Sequence, residues 1–131
     1  MVIEDPRFVT SGHGVPKTTS PISQAVVAGN SCYISGQLPV DHNGLLKRGS
    51  FESQVRLTLR NLVAVARAAG YTVAEIVYLD VALLDIRDMP IVNRVFASVF
   101  PAGRRPARTV YQAAALPLGS RIKLQGIAYK S

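Results

Sequence analysis

The chain has 131 residues, 48% hydrophobic and 18% charged, with a net charge of +7 and a single cysteine, Cys32. This is one ordinary domain, 1–131, too short for two domains and too apolar for a disordered tail protein. An internal disulfide is excluded, and a chain of this size can bury enough surface to fold without one.

The charge is unevenly placed. Residues 1–88 hold eight acids and eight bases, whereas residues 89–131 hold seven bases (Arg94, Arg104, Arg105, Arg108, Arg121, Lys123, Lys130) and no acid. Such a segment favours an anionic partner. Met1–Thr10 lacks the basic start and apolar stretch of a secretory signal. No apolar run approaches the roughly 18 residues of a membrane span. A cytoplasmic domain with no membrane partner is expected.

In chain order, a strand is expected near Phe8–Thr10. Gln24–Ala28 and Ser31–Ser35 flank Gly29–Asn30 and predict a β-hairpin. Phe51–Ala69 predicts a helix capped by Ser50, with Val55, Leu59, Leu62, Val63, Ala66 and Ala69 on one stripe and Gly70 as terminator. Thr72–Glu75 has capping-box spacing, enough for a helical turn. Ile76–Leu84 is nearly continuous apolar sequence. It predicts a central strand covered on both faces, with Val77, Leu79, Val81 and Leu83 sharing one side. Asp88 and Pro90 open a second helix, whose stripe is Val92, Val95, Phe96 and Val99. Ala107–Ala115 and Arg121–Tyr129 are two final strands, joined around Pro117–Gly119. The order predicts an α+β domain: one mixed sheet with two helices packed on one face. Copies of the chain are expected to cover the other face around a symmetry axis.

Several segments, in order and spacing, resemble the reactive intermediate deaminase (RidA/YjgF, Rid) family. They are Ser20-Pro-Ile-Ser-Gln-Ala25, Ile34-Ser-Gly-Gln-Leu-Pro39, Ala68-Ala-Gly70, Val92-Asn93, Arg105-Pro-Ala-Arg108, Leu116-Pro117 and Ile127-Ala128. The resemblance implies a chorismate-mutase-like fold assembled as a homotrimer, with clefts between subunits. It also implies hydrolysis of imines or enamines to 2-keto acids and ammonia. Arg108 matches the family arginine that holds a substrate carboxylate, a task suited to the guanidinium fork. Ser35 and Asn93 match pocket-lining residues.

Three positions depart from the family pattern. Ile22 stands where a tyrosine is usual, Val110 where a cysteine is common, and Lys123 where a glutamate activates the hydrolytic water. No acid follows Asp88 to take that role. An ammonium cannot accept a proton from water, and general-base assistance is worth about 10²–10⁴-fold. Three readings of Lys123 stay open. It is a second cation binding a dianion, or an amine crowded by Arg108 and Arg121 that works as a base or Schiff-base former, or a solvated lysine. Tyr111, near Arg108, is a candidate to line the cleft in place of the missing tyrosine. His13 in Gly12-His-Gly14 is a candidate acid or base, His42 belongs to a turn, and Cys32 is expected to be buried. No metal-ligand spacing or phosphate-binding glycine loop is present, so no cofactor or metal is expected.

The expected activity is therefore a Rid-type enzyme acting on a small carboxylate-bearing imine or enamine, with chemistry altered at Lys123. The alternatives are a pathway enzyme using Lys123 as base or Schiff-base amine, a non-catalytic small-anion-binding protein, or an RNA-binding or endoribonuclease-like protein. A nucleic-acid partner is disfavoured because the chain lacks an aromatic-studded basic strand motif.

Overall fold

A computed structural model describes residues 4–131. Met1–Ile3 lie outside the described residues, and with them the start of the stretch Met1–Thr10 for which no secretory signal is expected. The elements are β1 (Arg7–Val9), β2 (Ala25–Ala28), β3 (Ser31–Gln37), α1 (Phe51–Ala68), β4 (Ile76–Leu83), α2 (Met89–Val99), β5 (Ala107–Gln112) and β6 (Ile122–Tyr129). They form one six-stranded sheet in the order β1-β2-β3-β6-β4-β5. Only β4 and β5 run parallel, and α2 supplies the crossover that a parallel pair requires. Among the described residues no helix is long and apolar enough to cross a membrane.

The local chemistry explains the boundaries. The Ser50 side chain accepts from the Ser53 amide, capping α1, and Gly70 ends the helix at φ +93°. The Glu75 carboxylate accepts from the Thr72 amide, closing the expected turn. Gly29 takes φ +58° in the β2–β3 turn. The buried stripe of α1 (Val55, Leu59, Leu62, Val65, Ala66) and that of α2 (Val92, Val95, Phe96) pack on the same sheet face, against Cys32, Ile34, Leu79, Val81, Leu83, Ile122 and Leu124. Burial pushes the Cys32 thiol up from its ordinary range.

Two expectations are corrected. The central strand is not covered on both faces within one chain. Leu79, Val81 and Leu83 lie under the helices, but Val77 is exposed at a bulge between Ile76 and Tyr78. Tyr78 and Asp80 face the uncovered side, where only the small Ala82 is buried. The apolar run is long because Val77 and Leu84, both partly exposed, lie outside the alternating core set. The second correction concerns the end of β5, which stops at Gln112, where its partner β4 ends, rather than at Ala115; β4 lies between it and β6.

The uncovered face carries an apolar row. Phe8 pairs with Val26, Val26 with Tyr33, Tyr33 with Ile127, and Ile127 with Tyr78. Phe8 is 65% exposed and Tyr33 52%.

Gly126 sets the closeness of β4 and β6. A Cβ there would lie 2.6 Å from the Tyr78 carbonyl oxygen and 2.9 Å from Leu79 Cδ2. Gly126→Ala should therefore destabilise the fold by about 1–3 kcal/mol, as overpacking does, read as a lower urea midpoint.

Candidate functional site

The side chains singled out from the sequence fall into two groups on opposite faces of the sheet. Arg108 stands on the edge strand β5 and turns toward α2. Its Nη1 donates to Asn93 Oδ1 at 2.8 Å, and its Cζ lies 5.5 Å from the centroid of the Phe96 ring. The cation–π contact and the hydrogen bond hold the guanidinium, leaving most of its donors free among the described residues. Arg105 lines the same cleft of about 430 Å³ and donates through Nε to the Phe100 carbonyl at 3.1 Å. No acid lines this cleft. Val110 shares the helix-side face of β5 but packs against the core, below the cleft rather than in it.

The second group lies around β3 and β6. Ser35 Oγ donates to the Ser23 carbonyl at 2.6 Å, and Ile22 is half-exposed in the loop before it. Two buried glutamines position this loop. Gln37 Nε2 donates to Gln24 Oε1 at 2.9 Å, and Gln24 Nε2 to the Pro16 carbonyl at 3.0 Å. Lys123 projects on the uncovered face. Its Cδ lies 3.0 Å from where a Cβ on Gly36 would stand, so the glycine gives the lysine stem its resting place over β3.

Tyr111 does not line a cleft with its own Arg108. The β4–β5 register turns it to the opposite face, beside Ala82 and on the same side as Lys123. The same alternation keeps Arg108 of one chain from crowding Lys123 of that chain. Arg121 does not crowd it either, because its guanidinium donates to Asp88 Oδ2 at 3.1 Å and stacks on Phe51. The reading of Lys123 as an amine loosened by Arg108 and Arg121 thus has no support within one chain. His13 lines a groove along α1 with Arg60 and Arg67, away from both groups, and His42 lies in the adjoining groove with Arg48 and Arg60.

The pairing pattern narrows the basic excess. Arg94 and Arg56 both bind Glu52, at 2.6 Å and 3.3 Å, and hold its carboxyl below the usual range. Lys130 donates to the Gly70 carbonyl and lies over the Tyr71 ring. Arg104, Arg105, Arg108 and Lys123 have no acidic partner among the described residues. Phe96 and Arg105 join the site without having been expected there. The available signal for Arg105 is its place in the Arg104-Arg105-Pro-Ala-Arg108 run. No group of three His, Cys, Asp or Glu side chains gathers among the described residues in a way that could hold a metal.

A family model described as Endoribonuclease L-PSP matches residues 13–130. The 2-iminobutanoate/2-iminopropanoate deaminase of Rattus norvegicus is 38% identical over 123 residues, 93% of this chain and 89% of that protein. RidA from the Antarctic bacterium Psychrobacter sp. superposes with a TM-score of 0.88 at 34% identity, covering 95% of this chain and all of that one. TdcF of E. coli, solved with bound serine, superposes at 0.86 with 29% identity, covering 95% and 100%.

Proposed function

This chain belongs to the endoribonuclease L-PSP family, which includes the RidA/YjgF proteins, and on that premise we propose that it hydrolyses a small carboxylate-bearing imine or enamine to a keto acid and ammonia. The observation that carries the reading is Arg108, a guanidinium held by Asn93 and Phe96 in a cleft without acids. A planar carboxylate can take two parallel hydrogen bonds from its unused donors. The relatives fit this chemistry: one is named for 2-imino acids, and another was solved with an amino acid bound.

In this reading the working cleft forms between copies of the chain. Arg108 comes from one copy, and from the next come Lys123 and Ser35 on the uncovered face and Ile22 in the loop before β2. The uncovered apolar row needs a cover, and the arrangement that supplies one three times over is the homotrimer implied by the family resemblance. Lys123 serves there as a second cation, so the preferred substrate carries a second carboxylate.

Light scattering should give about three times the monomer mass of 14.1 kDa. A stable monomer at micromolar concentration would dismiss the shared cleft.

Arg108→Ala should cost about 2–5 kcal/mol of keto-acid affinity in a cleft closed by a second copy, and Arg108→Lys should recover only part, because the fork is lost. Unchanged affinity in Arg108→Ala, measured by calorimetry, would remove the anchor from the argument.

A 2-imino dicarboxylate should be preferred over 2-iminobutanoate by about tenfold or more in kcat/KM, matching one hydrogen bond to a charged group. Lys123→Ala should erase that preference. Equal rates for the two substrates in the wild type would show that Lys123 is a bystander.

A further inference from the structure

Hydrolysis of an imine needs an acceptor for the proton of the attacking water, and position 123 presents an ammonium. We propose that Asp80, on the strand beside Lys123, is that acceptor. The inference rests on the hydrolytic reading above and names the residue that makes it chemically possible.

Among the described residues, Asp80 is the only acid on a strand of the sheet. The other carboxylates near structured elements lie off the strands, and local partners hold them there. Glu52 and Asp88 are bound by arginines, and the Glu75 carboxylate accepts from the Thr72 amide. Asp41 accepts from the Asn43 and Leu45 amides. Arg87 holds the Asp85 carboxyl down to about 2. The remaining two, Glu4 and Asp5, precede β1.

Register places Asp80 where it is needed. It pairs across from Gln125, and Lys123 pairs across from Ala82, so Asp80 and Lys123 are diagonal neighbours on one face. Diagonal positions lie about 7–8 Å apart, so a substrate held over β6 between Lys123 and β4 lies within reach of Asp80. Lys123 leans the other way, over Gly36, and no ion pair joins the two.

The carboxylate is also oriented. The Thr109 hydroxyl donates to Asp80 Oδ1, and the Thr109 oxygen lies 3.0 Å from the Tyr78 hydroxyl. This short chain of hydroxyls fixes one oxygen and leaves Oδ2 without a partner among the described residues. A base held in one orientation is what proton transfer in the transition state requires.

The step balances as follows. The water oxygen bonds to the imine carbon, its proton passes to Asp80 Oδ2, and the C=N π pair moves to nitrogen, which takes a proton from solvent. In the carbinolamine the hydroxyl releases its proton to solvent as the C–N bond breaks with its pair on nitrogen. Asp80 returns its proton to that nitrogen, and ammonia leaves with the keto acid.

The test uses the assembled protein with 2-iminobutanoate and a 2-imino dicarboxylate. Asp80→Asn should lower kcat by about 10²–10⁴-fold with KM little changed, and Asp80→Glu should restore part of the loss. Added formate should revive Asp80→Gly, which a merely structural role for the side chain would not allow. Asp80→Asn with wild-type kcat overturns the assignment while leaving the hydrolytic reading intact. A wild type that turns over neither imine overturns that reading and this assignment with it. Where Asp80→Asn fails to assemble, Thr109→Val keeps the carboxylate but frees it. It should lower kcat by about tenfold, as loss of one orienting hydrogen bond does, and an unchanged kcat counts against Asp80.

Discussion

Both helices pack on one face of the sheet, and side chains along a strand alternate between faces with a period of two. Together these constraints decide what one copy can do. On β5 they send Arg108 toward α2 and Thr109 and Tyr111 to the other side. On β6 they bury Ile122 and Leu124 and leave Lys123 and Gln125 outside. The arginine proposed to anchor a carboxylate and the groups proposed to act on the substrate are thus separated by the thickness of the sheet. No side-chain rotation within one chain joins them. A shared cleft is the arrangement that lets an edge residue of one sheet meet the uncovered face of another.

Much of the fold was legible because its signals are local. The Ser50 cap, the α1 stripe and the Gly70 stop all lie within one helix and its ends, and each reports its own backbone. The β2–β3 hairpin is marked by Gly29 in the same way. The misreadings concern non-local facts. Periodicity along Ile76–Leu84 cannot say that Val77 leaves the pattern at a bulge, since the bulge is defined by the partner strand. Nor can the composition of Ala107–Ala115 reveal that the strand stops at Gln112, where its partner β4 ends.

The site shows the same division. Arg108 was legible from a short motif, and its partner Asn93 from another, fifteen residues away. Asp80 was not, because a search for a replacement carboxylate along the chain after Asp88 looks in the wrong direction. The relevant neighbourhood of Lys123 is lateral, across β6 to β4, where an acid more than forty residues upstream becomes its diagonal neighbour. Tyr111 stayed ambiguous for a related reason, since only register assigns a strand residue to a face.

The uncovered face is itself divided. At one level lies the apolar row from Phe8 through Tyr33 to Tyr78, and at the next levels lie Asp80, Thr109, Gln125 and Lys123. A copy settling on the apolar row removes exposed aromatic and aliphatic surface from water, which favours association at roughly 25 cal/mol per Å². The same contact cannot close dry over Asp80 and Lys123, because stripping water from separated charges costs several kcal/mol per ion. The interface we propose is therefore sealed along the apolar row and stays wet at the charged end. In the proposed hydrolysis, water kept there is the nucleophile, and the groups that prevent a dry seal are those proposed to use it.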